Sequence, residues 1–157
     1  MLNGDTLVQR LLAAGSAKPD QIIPCTEEDL REIAHQAPGP LPMAYLEFLY
    51  AIGRGAGRFL SDQDIYYPKM LGLNNKAKDL LRICEEGGLT LPADAFVFSV
   101  RCFEQFLFFH ADGRSDNPTI SHYLAEEGHF RTAGTFWNFV EEELQISEEA
   151  ARSGFFD

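Results

Sequence analysis

Four consecutive large apolar residues, Phe106-Leu107-Phe108-Phe109, occupy most of a six-residue stretch from Gln105 to His110. Side chains of a strand alternate between its two faces, so Phe106 and Phe108 oppose Leu107 and Phe109, and neither pair tolerates water. Such a segment is an inner strand covered on both sides. The fold therefore has to supply packing layers above and below a sheet.

The flanking sequence supplies the rest of that sheet. Phe96, Phe98 and Val100 alternate with Val97, Ser99 and Arg101, which predicts a strand, and Cys102-Phe103-Glu104 turns it into the next one. The run Asp112-Gly113-Arg114-Ser115-Asp116-Asn117-Pro118 is dense in turn formers and leads to a third strand over Thr119 to Ala125. Glu126-Glu127-Gly128 turns the chain again, into His129 to Thr132. The order predicts an antiparallel meander.

Helical periodicity surrounds it. Leu7, Val8, Leu11 and Leu12 mark a helix over Thr6 to Ala14 that stops at Gly15, and Thr26 caps a second bearing Leu30, Ile33 and Ala34, ended by Pro38-Gly39-Pro40. A third opens at Leu41-Pro42 and carries Tyr45, Leu46, Phe48, Leu49 and Ile52 up to Gly53. Past the glycine-rich turn Gly53 to Gly57, a short strand is expected at Arg58 to Leu60 and a fourth helix from an Asn74 cap to Gly87-Gly88. The last begins near Gly134-Thr135, carries Phe136, Trp137, Phe139, Val140 and Leu144 with Glu141, Glu142 and Glu143 toward solvent, and precedes a polar tail. Residues 1–157 thus read as a single α+β domain, a twisted antiparallel sheet packed by helices. The thirteen phenylalanines imply a core built largely from flat rings.

Composition excludes several functions. No apolar run approaches the ~20 residues of a membrane span, and Met1 to Arg10 lacks the basic and apolar segments of a secretory signal. Cys25, Cys84 and Cys102 are odd in number and widely spaced, which fits reduced packing thiols in a cytoplasmic protein. With 24 acidic against 13 basic residues the formal charge is -11, so neither nucleic acid nor an anionic membrane is an expected partner. The charge secures solubility and also suits a basic protein partner.

Catalytic and cofactor chemistry find little footing. Gly53 to Gly57 leaves a helix instead of joining a strand to one, and no lysine and hydroxyl pair follows it, so it is a turn and not a phosphate loop. His35, His110, His122 and His129 lack helical metal spacing, although the last three could approach one another across strands. No nucleophile elbow or CxxC pair exists. No catalytic residue, metal or cofactor is expected.

The order of features resembles the SUKH superfamily of bacterial toxin-immunity proteins and fungal cell-wall-synthesis regulators of the Smi/Knr type. The resemblance is carried by Leu41-Pro42 with Tyr45, Phe48 and Leu49, by Gly53 to Gly57, and by Phe96-Val97-Phe98. Phe106 to Phe109, the Asp-Asn-Pro turn before a tyrosine-bearing strand, and Thr135-Phe136-Trp137-Asn138-Phe139 complete it. It implies a non-enzymatic binding module, and for single-domain bacterial members an immunity protein that neutralises a cognate polymorphic toxin, a nuclease or deaminase, by binding its effector domain. The alternative is a regulatory adaptor docking on a cellular protein without toxin biology. The resemblance hands over no binding residue. Composition singles out Asp62, Asp64, Tyr66 and Tyr67, acids and aromatics in one loop, as the candidate interface with a basic toxin domain, followed by Asp112 and Asp116 and by Glu126 and Glu127 on strand connections.

Overall fold

A computed structural model describes residues 2–84 and 88–154. Asn3 starts the first helix by accepting the Thr6 amide on its side chain at 2.9 Å; α1 then runs over Gly4–Ala14 and ends at Gly15, whose φ of 75° is left-handed. A single 3₁₀ turn leads into the two-residue strand β1, Ile22–Ile23. Thr26 and Asp29 cap α2, Glu27–Gln36, reciprocally: the Asp29 amide donates to Thr26 Oγ1 at 3.1 Å, and the Thr26 amide to Asp29 Oδ2 at 2.9 Å. After α3, Met43–Ile52, come β2 at Gly55–Ala56 and α4 at Leu73–Cys84. The chain closes with β3 (Ala95–Arg101), β4 (Gln105–His110), β5 (Thr119–Leu124), β6 (Phe130–Thr135) and α5 (Phe136–Arg152).

The α+β architecture is the expected one. Strands β3, β4, β5 and β6 form an antiparallel meander in that spatial order, while β1 and β2 make a separate two-stranded ribbon. One connection organises the helices around the sheet. The Asp116 carbonyl accepts the Ala44 amide at 2.8 Å, Pro118 accepts Phe136 at 2.9 Å, and Asn117 Oδ1 accepts Trp137 at 3.0 Å. The β4–β5 connection therefore satisfies the first turns of both α3 and α5, donors that a helix cannot pair internally.

A β-bulge decides how β3 faces its neighbours. Val97 lies opposite Phe108 but Ser99 lies opposite Leu107, leaving Phe98 as an extra residue. Val100 then falls opposite Phe106, on the face away from Phe98, where simple alternation would have put it with Phe98. Phe96, Phe98 and Phe109 form one ring cluster with Tyr45, Phe48 and Phe136. Phe106, Phe108, Tyr123 and Phe130 form a second. Both faces of β4 are covered as its sequence requires: Phe106, Phe108 and Phe109 are all buried.

Four expectations need correction. Arg58 to Leu60 is a turn, not a strand: Leu60 has a left-handed φ of 55°, and the Phe59 and Ser61 amides close turns on the Ala56 and Arg58 carbonyls at 3.1 and 3.2 Å, while the ribbon pairs Gly55 and Ala56 with Ile23 and Ile22 instead. Asn74 does not cap α4. It sits inside the first turn and reaches the outer edge of β3, donating from Nδ2 to the Ala95 carbonyl at 2.9 Å and accepting the Val97 amide at 2.7 Å. Farther along, the backbones of Asp64 and Val100 exchange hydrogen bonds at 2.8 and 3.2 Å, so the two contacts together close an edge that would otherwise template another strand. Cys84 and Cys102 are exposed, leaving Cys25 as the buried packing thiol. Finally, the segment after Leu144 is helical through Arg152 and docks on α1: Arg10 pairs with Glu141 at 2.6 Å and Glu148 at 2.7 Å, and Ser16 with Ser147 at 2.6 Å. The expected end of α4 at Gly87 lies outside the described residues.

Phe108→Ala should destabilise the protein by about 3–5 kcal/mol in denaturant titration, since the removed ring leaves a cavity beneath a covered strand. A loss below about 1 kcal/mol would contradict the buried placement.

Candidate functional site

The meander sorts the expected binding residues into two ends. The β3–β4 and β5–β6 turns share one end of the sheet and touch there, the Ala125 amide donating to the Glu104 carbonyl at 2.8 Å. Glu126 and Glu127 belong to this end, and the bridge between Asp64 and Val100 brings the 61–67 loop to it as well. Asp112 and Asp116 lie on the β4–β5 connection at the opposite end. There the Asp112 side chain accepts the Arg114 amide at 3.0 Å and the Asp116 backbone serves α3, so the third pair is separated from the others.

Between the 61–66 loop, the glycine turn and the β3–β4 turn runs a groove of about 820 Å³. Ile23 and Phe103 both line it and are 44% and 70% exposed. The loop acids do not stand free in it. Asp64 is held by Lys76 at 3.3 Å and Lys69 at 3.7 Å, and Asp62 by Arg101 at 3.1 Å. Lys76 also lies 5.8 Å from the centre of the Phe103 ring, a cation–π distance that ties the loop to the turn.

The two tyrosines serve the groove wall from within. Tyr66 donates its hydroxyl to the Phe59 carbonyl at 2.6 Å, and burial pushes its ionisation far up. Tyr67 donates to Glu32 at 2.6 Å while the Arg54 guanidinium stacks 5.0 Å from its ring; the hydrogen bond to Glu32, with burial, pushes its ionisation up to about 12. Arg54 in turn forks onto Asp29, at 2.6 and 2.8 Å, and that pairing holds the Asp29 carboxyl well below the usual range. These contacts fix the glycine turn to α2. Glycine at 53 and 57 is required by proximity: a Cβ would lie 2.3 Å from Cys25 Sγ at the first and 2.7 Å from the Ser16 carbonyl at the second, where φ is also 62°.

Phe103 was not among the expected site residues. Cys102 and Phe103 have φ of 54° and 55°, and the Glu104 amide closes on the Arg101 carbonyl at 3.1 Å, so this is a two-residue hairpin turn with both central residues left-handed. Such turns favour Asn-Gly, and a side chain there is strained. The legible signal was a hairpin without glycine, carrying an aromatic at its tip. The histidines do not assemble: His110 meets Asp94 at 2.6 Å, His122 meets Gln105 at 3.0 Å and His129 meets the Glu127 carbonyl at 2.9 Å. Among the described residues no group of three side chains is placed to hold a metal ion, and no helix is long and apolar enough to cross a membrane.

Comparison with protein-family models, curated proteins and solved structures gives no match to any of them. The surface is therefore interpreted from its own geometry.

Replacing Cys102→Asn together with Phe103→Gly should raise stability by about 1 kcal/mol in denaturant titration by relieving the left-handed strain. A net loss would mean that the side-chain contacts of Phe103 outweigh it. Asp29 gives a pH test of the Arg54 clamp. Its carboxyl is depressed in the folded state, so its stabilisation is complete above the unfolded value near pH 4 and disappears as pH falls through the lower folded value. The stability difference between the wild type and Asp29→Asn should hold constant from pH 7 to about 4 and shrink below it. A difference that persists undiminished to pH 2 would rule out the ionised carboxylate as its source.

Proposed function

We propose that this chain is a non-enzymatic protein-binding module that neutralises a cognate bacterial polymorphic toxin, of the nuclease or deaminase type, by covering its effector domain through the groove. The observation that carries the reading is Phe103. An aromatic ring 70% exposed at the tip of a turn that would be more stable with glycine is retained against both hydration and strain. Rings of this kind, held by neighbours and facing a partner, are the usual anchors of protein interfaces. Ile23 across the groove provides the second apolar contact.

The acids take a different part from direct contact. Asp62 and Asp64 fix Arg101, Lys69 and Lys76 around the groove, so the local charge there is largely compensated. The remaining negative field of a chain with formal charge -11 acts at longer range and favours encounter with a basic effector domain. The immunity role itself rests on the sequence resemblance.

The test uses the effector domain of the proposed cognate toxin. Phe103→Ala should raise its dissociation rate at least tenfold, roughly the loss of one hot-spot residue, with association changed by less than about threefold. Unchanged dissociation for Phe103→Ala, combined with faster dissociation for Asp112→Ala, would place the interface at the opposite end of the sheet.

A further inference from the structure

Beside the groove lies a second concavity, a cleft of about 200 Å³ between α5 and the open half of the sheet. The two share Gln63, and Arg101, which lines the cleft, pairs with Asp62 of the groove at 3.1 Å. Packing explains why the cleft exists: Phe136 and Val140 seat α5 on the first ring cluster, while the next face of the helix, Phe139, Glu142 and Glu143, stands over Leu107, Ile120 and His122. Its lining thus joins the apolar Leu107, Ile120 and Phe139 to polar side chains and the two carboxylates of α5.

The charges do not balance. Among the described residues Arg101 is the one arginine or lysine lining the cleft, and it lies 3.1 Å from Asp62 on the groove side and 3.6 Å from Glu143. One guanidinium thus serves two carboxylates, and Glu142 at the rim adds a third for which no ion pair forms among the described residues. His122 supplies no compensating charge, because burial lowers its proton affinity, and its Nε2 is engaged with Gln105 at 3.0 Å. Desolvation raises the pKa of Glu143 above the usual carboxylate value despite Arg101, so its charge is disfavoured there.

We infer that the cleft is a socket for an arginine side chain of the partner protein, its guanidinium between Glu142 and Glu143 and its aliphatic stem on Leu107, Ile120 and Phe139. This deepens the proposed reading and rests on it for the source of the arginine. The planar fork matches paired carboxylates and stacks on the Phe139 ring, which an ammonium does less well. An incoming cation also supplies the charge that Arg101, shared with Asp62, does not.

The socket is testable without any partner. Titrating ¹⁵N-labelled full-length protein with Nα-acetyl-arginine amide should give saturable shifts at Leu107, His122, Phe139 and Glu143, with a dissociation constant on the order of 1 mM, typical of so small a ligand. The uncharged citrulline analogue and the lysine analogue should each bind at least fivefold more weakly. Glu142→Gln is exposed and Glu143→Gln removes a desolvated charge, so both should fold, which their melting temperatures will verify, and each should weaken the arginine analogue at least fivefold. Asp116→Asn, at the far end of the sheet, should leave it unchanged. Equal binding of the citrulline or lysine analogue, shifts dispersed away from the cleft, or full affinity in both glutamine variants would overturn the assignment. Because only small amino-acid analogues and no partner protein are used, failure here is distinct from failure of the groove, which is read in the dissociation rate of Phe103→Ala.

Discussion

Phe109 stacks with Phe96 and Phe98 on one face of the sheet, while Phe108, the residue before it, meets Phe106 and Phe130 on the other. Two ring clusters back to back on a single inner strand leave that strand no solvent face. Rings pack well only edge to face or offset, so each cluster needs a partner layer of matching shape. Tyr45 and Phe48 of α3 and Phe136 of α5 supply it on the first side. The β4–β5 connection holds those two helices at their first turns. Because the broad surfaces of β3 and β4 are consumed by packing, the surfaces proposed for recognition are the ends of the sheet and the gaps that helices fail to fill. The groove and the cleft are such places.

The sheet and the five helices were legible in the sequence because period and capping agree locally. Thr26 with Asp29 and Thr135 with Asn138 form the boxes that start α2 and α5. What escaped were contacts made by tertiary structure. Asn74 is a good cap by composition, but its amide is spent on the edge of β3, twenty or more residues along the chain. The bulge at Phe98 is invisible in an alternating pattern, yet it moves Val100 to the other face. Phe59 and Leu60 look like a strand and curl so that both enter the core.

The 61–67 loop shows the same limit in electrostatics. Asp62, Asp64, Tyr66 and Tyr67 are adjacent in sequence, and the composition of the loop suggested an acidic, aromatic contact surface. The fold pairs the acids with Arg101, Lys69 and Lys76 and turns the Tyr66 hydroxyl inward. On α5, where sequence alone showed only a solvated helical face, Glu143 shares Arg101 with Asp62, and Glu142 has no ion pair among the described residues. Which charges remain unpaired after folding thus differs from where acids are most frequent in the sequence.

Hydrogen–deuterium exchange of the protein, alone and bound to the effector domain of the proposed cognate toxin, tests the proposed surface most directly. Binding through the groove and cleft would slow exchange in residues 54–66 and 101–105 and along the first half of α5, and leave the 112–116 connection unchanged. Slowing confined to 112–116 or to the exposed side of α1, with the β3–β4 turn exchanging as in the free protein, would contradict it.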